Sequence, residues 1–300
     1  MLWLTTFIGG KILKKSVLLK SMVTVTLLAL LATPLFAVNT NSGNIKLIGA
    51  WPLEAKMEAG YTHKIPMLEG EGPLFSGNNL KIKALLGLSP VAATLGFVAV
   101  LTPIAIAEIT LGGSLGTGWD FEAMEISGLL KDTGPVGSIL TADPLGGVYY
   151  KGRAGAALQF DTGAIFPGDW TSVLLRTYHE IMYQGYTGAK SGEAWEYETS
   201  GAKVNGVNYK GEYVVGYKLP LKLNMIALQF ETFTYDLFDG GSHPLRYDVG
   251  LIGNIEFLDG LDLTVIVQGT NQKKKDNGSK EVEIVDFRYK RIGVMLNYSF

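Results

Sequence analysis

The chain carries three histidines, His63, His179 and His243, and its 300 residues contain no cysteine. Without Cys, a thiol nucleophile, a disulfide framework and a thiolate zinc site are all excluded. His243 precedes Pro244 and lies near Asp239, a turn-forming context. His179 sits between Tyr178 and Glu180, and His63 closes a segment of alternating polarity. No serine–histidine–acid set can be assembled from these spacings, so no catalytic residue, metal site or cofactor is expected. Gly112-Gly113-Ser114-Leu115-Gly116 has the glycine content of a phosphate or nucleophile loop. No helix pattern follows it, so the motif fails on context. Lys273-Lys274-Lys275-Asp276-Asn277-Gly278 is a basic loop tip that reads as a solvated turn.

The ionisable residues that do recur in a pattern occupy one face of alternating segments. In Glu54–Ile65 one face reads Glu54, Lys56, Glu58, Gly60, Thr62, Lys64 and the other Ala55, Met57, Ala59, Tyr61, His63, Ile65. Residues 148–161 and 245–257 repeat the pattern, and Asp259-Gly260 supplies a two-residue hairpin signal before the next such segment. Alternation of this kind makes a strand with one polar and one apolar face. The polar faces collect the acids Glu54, Glu58, Glu108, Asp161, Glu180, Glu212, Glu231, Asp248, Glu256 and Asp262. They also collect the bases Lys56, Lys81, Lys83, Lys151, Arg153, Arg176, Lys218 and Arg246. Such mixed signs imply structural ion pairing across a shared interior, or a water passage of weak ion selectivity, since strong selectivity needs rings of one sign. Gly60, Gly87, Gly112, Gly116, Gly118 and Gly250 fall on the same face and would widen the interior locally.

The elements that must position these residues are strands. Candidate strands span 53–66, 80–101, 104–120, 148–161, 170–187, 209–218, 221–236, 245–258, 261–273 and 283–300. Long connections (67–79, 121–147, 188–208, 237–244, 274–282) alternate with shorter ones (102–103, 162–169, 219–220, 259–260). That layout implies an all-β, antiparallel up-and-down transmembrane β-barrel of about ten strands, with twelve as the rival. The rival arises in residues 84–107, which carry no charge and include Pro90 and Pro103. Hydropathy alone would make a membrane helix there. The two prolines and the β-branched residues favour strand, turn at Pro103, strand. If Pro90 is also a turn, Ile45–Ala50 must be a further strand. Aromatics gather at both strand ends: Trp119, Phe121, Tyr149, Tyr150, Tyr183, Tyr186, Tyr213, Tyr235 and Tyr247 at one, Phe160, Trp170, Tyr217, Phe257, Tyr298 and Phe300 at the other. Two such belts are what two membrane interfaces select.

Residues 1–37 read as a secretory signal peptide: Lys11, Lys14, Lys15 and Lys20, an apolar run from Met22 to Ala32, then Thr33-Pro34-Leu35-Phe36-Ala37. Removing them takes four Lys and no acid, so the formal balance moves from 26 − 28 to 22 − 28. The remainder is mildly acidic with no basic stripe, which excludes nucleic acid as a partner.

The chain ends Ile292-Gly293-Val294-Met295-Leu296-Asn297-Tyr298-Ser299-Phe300, with Ile292, Val294, Leu296, Tyr298 and Phe300 on one face. Upstream, Asp286, Arg288 and Lys290 share the parity of that apolar face, and a bulge near Arg291 would restore it. This terminal segment resembles the last strand of Gram-negative outer-membrane β-barrel proteins. The resemblance implies residence in the bacterial outer membrane and delivery by the barrel assembly machinery, which reads Ile292, Val294, Leu296, Tyr298 and Phe300. It also implies contact with outer-membrane lipid and lipopolysaccharide, to which the Lys273 tip is an alternative contact. On this reading 38–52 is a short periplasmic segment and 53–300 the barrel, with both termini periplasmic. Two roles are then expected: a weakly selective porin-like channel for small solutes, or a non-conducting structural or surface-binding barrel acting through 121–147 and 188–208.

Overall fold

The computed structural model describes residues 41–52, 54–122, 125–132, 140–190, 192–198, 203–238, 245–272 and 284–300. The signal-peptide reading, His243 and the Lys273 loop tip lie outside them. Twelve strands form one closed antiparallel barrel. They are β1 Asn41–Trp51, β2 Glu54–Pro66, β3 Asn79–Leu88, β4 Ala92–Ile104, β5 Ala107–Gly118, β6 Tyr149–Asp161, β7 Val173–Tyr186, β8 Gly206–Lys218, β9 Leu223–Thr234, β10 Arg246–Leu258, β11 Leu261–Gln272 and β12 Ile284–Ser299. Each strand pairs with its neighbours in chain order, and β1 closes on β12 from Asn44 opposite Ser299 to Trp51 opposite Ile292.

The strand count is therefore twelve rather than ten, and the two additions are linked. Residues 89–91 around Pro90 turn the chain between β3 and β4, and Asn41–Trp51 is a barrel strand rather than a segment outside the barrel. Its alternation is faint because Lys46 is its only charge and Ile48 shares the inward face. The second turn falls at 105–106 instead of Pro103. Pro103 sits beside a register irregularity between Leu101 and Ile104, where no ladder N–H is required of it. Adding β1 also moves the 67–78 connection to the rim that holds Asn41 and Phe300, here called the near rim. The strand ends that bound the 119–148, 187–205, 235–245 and 273–283 connections stay together at the far rim.

The outer face is apolar all round. Phe97 and Leu111 are each 58% exposed, Leu158 60% and Leu228 59%. A closed belt of this kind is unsuited to water, whereas hydrocarbon leaves it without penalty. Charge-free residues 84–107 thus form parts of three strands, and Ala84–Leu88 and Ala92–Leu101 pair in the ladders. On β12 the register shifts where Gln268 pairs with Arg291 and Gly269 with Tyr289, leaving Lys290 as the extra residue of a bulge. That bulge puts Phe287, Tyr289, Ile292 and Val294 on one exposed face and sends Arg291 inward to Gln268.

The aromatic belts are present with one revision. Toward the far rim, outward rings run from Tyr213 to Phe230 (6.1 Å between centroids), Tyr247 (5.6 Å) and Phe287 (6.3 Å). At the near rim Tyr298 and Phe300 lie 5.8 Å apart. Tyr149 and Tyr186, however, leave the outer belt and point inside, where they join a buried cluster, and Tyr235 turns inward as well, stacked on Phe233 beneath the Arg246 guanidinium.

Candidate pore lumen and its roof

Side chains on the inward faces of the strands meet in two adjoining cavities. The central one, of about 490 Å³, is lined by β1–β8 and includes Lys46, Lys81, Lys83, Arg153, Arg176 and Glu180. The second, about 350 Å³, lies beneath the far-rim loops and shares Glu58, Leu85, Val98, Lys151 and Arg153 with the first.

Most inward charges are paired across adjacent or next-but-one strands. Glu180, 2% exposed, accepts from Tyr178 Oη at 2.5 Å and lies 3.2 Å from Arg153 and 3.4 Å from Lys151. Arg176 stands 3.1 Å from Glu212 and 3.7 Å from Glu108. Lys210 bridges Glu231 at 2.5 Å and Glu212 at 3.7 Å. Lys290 reaches Asp248, and Arg291 lies 2.8 Å from Glu54 at the far rim. At the near rim Asp161 holds Lys218 at 2.6 Å, Glu256 accepts from Asn224 at 3.2 Å, and Asp262 accepts from Asn254 at 3.1 Å and Asn297 at 2.9 Å. The Arg246 guanidinium lies 4.9 Å over the Tyr235 ring. Sequence parity thus singled out side chains that the barrel gathers inside. Lys46 escapes that parity because β1 is a strand only in the twelve-strand alternative, and Lys290 and Arg291 escape it because their side chains depend on the bulge. Lys210 was within reach, since it shares the parity of Glu212.

The far-rim loops fold into the barrel mouth. Leu129–Asp132 pairs with Leu140–Ala142 on one side and Trp195–Tyr197 on the other, a three-stranded roof. Its apolar centre is Trp195, Leu129, Tyr186 and Tyr197 packed with Ala92 and Tyr149. Tyr149 and Tyr197 stack with centroids 4.4 Å apart, and the Tyr197 hydroxyl lies 2.7 Å from Thr94 Oγ1. Glu198 reaches further in and accepts from Lys56 at 3.0 Å. Two glycine approaches make this fit possible. A Cβ on Gly116 would sit 2.3 Å from Tyr197 Oη, and one on Gly128 would sit 1.9 Å from the Val91 carbonyl oxygen. Gly116 and Gly118 therefore make room for the roof, and Gly60 and Gly87 for Asn44 and Lys56, so these inner glycines do not widen the passage.

Asp143 clasps the roof, accepting from the Tyr186 hydroxyl and lying 2.9 Å from Lys131 Nζ. Burial pushes the Asp143 carboxyl up, but the Tyr186 and Lys131 hydrogen bonds and the Lys131 charge outweigh it and hold it below its ordinary value. A carboxyl depressed in the folded state stabilises above its unfolded pKa and loses that stabilisation as pH falls through the folded value. The aromatic near-ultraviolet dichroism of the roof should therefore hold through mildly acidic pH and weaken as pH falls below the ordinary carboxylate range, and Asp143→Asn should remove that acid limb.

Two of the three histidines, His63 and His179, lie among the described residues. His63 Nδ1 lies 2.6 Å from Asn41 Oδ1, and His179 sits on the outer wall against Tyr209 Oη at 2.6 Å and Thr177 Oγ1 at 2.9 Å. No group of three or more His, Asp or Glu suited to a metal ion occurs among the described residues.

No protein-family model and no curated protein sequence matches the chain. Among solved structures it is similar to the KdgM porin, at 11% identity and TM-score 0.40, over 86% of this chain and 99% of that one. It is similar to the NanC porin at 6% identity and TM-score 0.40, over 84% and 98%. It is also similar to the translocator domain of the autotransporter NalP from Neisseria meningitidis, at 10% identity and TM-score 0.42, over 96% and 97%.

Proposed function

We infer that this protein is a porin-like barrel of the bacterial outer membrane that lets small solutes diffuse through a narrowed, polar lumen. The observation that carries this reading is the pair of adjoining cavities, both lined in part by charged side chains, inside a closed barrel whose outside is apolar. Twelve strands lie between the small barrels that side chains fill and the wide ones that leave an open channel. Paired charges and the roof narrow the interior further. The termini then face the periplasm, and Ile292, Val294, Leu296, Tyr298 and Phe300 serve as the assembly signal. The roof favours this reading over a surface-binding barrel. Its loops spend Leu129, Trp195 and Tyr197 on covering the mouth rather than presenting them outward. Purified, refolded protein added to planar bilayers should give discrete conductance steps. Sustained silence from protein shown to be folded by heat-modifiable gel migration would overturn the channel reading.

A further inference from the structure

The lysines of β1–β3 are placed unlike the other charges of the barrel. On β6–β8 the cavity-lining Lys151, Arg153, Arg176 and Lys210 each have a carboxylate partner. Lys46, Lys81 and Lys83 line the same cavity, partly exposed, and no ion pair to any of them occurs among the described residues. In the β2–β3 register Lys64 stands directly opposite Lys81, and Thr62 opposite Lys83. Lys64 shares the parity of Thr62, so two ammonium groups face each other on one side of the sheet. Like charges so placed weaken a strand pair. No acid relieves them from the next strand, because β4 has no charged residue. The acids nearest in the cavity are shared: Glu58, opposite Lys46 in the β1–β2 register, lies 3.6 Å from Lys56, and Glu108 lies 3.7 Å from Arg176, so Lys64, Lys81 and Lys83 keep no carboxylate of their own. The cavity lining holds seven basic side chains against four acidic ones, although the chain as a whole is acidic.

Uncompensated ammonium groups around a wet cavity draw in a counter-ion of opposite charge and raise its local concentration. We propose that Lys46, Lys64, Lys81 and Lys83 form a binding site for a small multivalent anion bearing phosphate or carboxylate groups, and that they make the passage anion-selective. Asn44 and Thr62 on the same wall add uncharged donors for the anion's remaining oxygens. The selectivity half rests on the channel reading above, and the binding half does not.

Two measurements on the full-length folded barrel separate them. Reversal potentials in a potassium chloride gradient should show chloride preferred over potassium. The permeability ratio should fall about fivefold in Lys81→Gln/Lys83→Gln, from the loss of two charges acting across several ångströms of water. Lys190→Gln, in a far-rim loop, should leave it unchanged. Separately, inorganic phosphate should show ³¹P line broadening with the detergent-folded protein and far less with the double variant. The double variant removes a like-charge contact, so it should fold, as heat-modifiable migration will report. Conducting channels without anion preference, together with equal phosphate broadening in both proteins, would overturn the proposal. Silent bilayers with phosphate broadening that depends on Lys81 and Lys83 would uphold the site and overturn the channel reading instead.

Discussion

Trp195→Ala should lift the roof off the barrel while leaving the barrel folded. Trp195 is fully buried, 5.8 Å from the Tyr149 ring and 6.3 Å from Tyr186, and its backbone pairs with both Lys131 and Lys203. Truncating a buried Trp to Ala costs about 3–5 kcal/mol. The roof has only two three-residue strands and one of four to share that loss. The barrel ladders do not pass through Trp195, so heat-modifiable migration should persist. The expected change is in the mouth: larger single-channel conductance and faster proteolysis within 119–148 and 187–205. Glu198→Gln should reproduce the conductance change in part, because it releases only the Lys56 contact. If Trp195→Ala leaves conductance and proteolysis as in the parent, the loops do not narrow the mouth.

Glu180→Gln should be the most destabilising single change in the lumen wall. The residue is nearly inaccessible, and it satisfies Tyr178, Arg153 and Lys151 at once. Removing the charge leaves two cations facing each other. Breaking a buried pair typically costs about 3–5 kcal/mol, reduced here to about 2–3 kcal/mol because both cations keep partial access to lumen water. Removing all the charges together avoids that imbalance. Urea unfolding in lipid vesicles should therefore find Glu180→Met/Arg153→Met/Lys151→Met closer to the parent than Glu180→Gln alone. The reverse order would mean that the pairing contributes net stability beyond balancing its own members.

Much of this architecture was legible because a barrel wall imposes a strict period of two. Glu54–Ile65, residues 148–161 and 245–257 each display both faces of their strands in sequence. The terminal segment shows even the need for a bulge, since the parity of Arg288 and Ile292 conflicts. The rest was hidden for physical reasons. β1 has one charge and an inward Ile48, so its alternation is faint, and its strand identity follows only from counting turns. Pro90 and Pro103 look equivalent in sequence. Pro90 meets a turn, and Pro103 meets an irregular strand end that needs no donor from it. Tyr149 and Tyr186 stand at strand ends like the belt aromatics, and their inward direction is set by parity and by Trp195 across the mouth. The roof itself depends on short non-local pairings between two loops, which carry no periodic signal. Its one visible trace was the glycine content of 112–118, which read as widening and proved to be room for Tyr197 and Gly128.

Which medium touches each face of the wall is tested by three consecutive residues of β3. Lys81 and Lys83 face the central cavity, while Ile82 between them is 44% exposed on the outside. The chain has no native cysteine, so single-cysteine variants at 81, 82 and 83 can be spin-labelled without background. In liposomes, the label at 82 should relax fastest with dissolved oxygen, and those at 81 and 83 with a water-soluble nickel complex. A label at 82 that favours the nickel complex, or that neither reagent reaches, would place water or protein rather than hydrocarbon against the outer face and contradict the account.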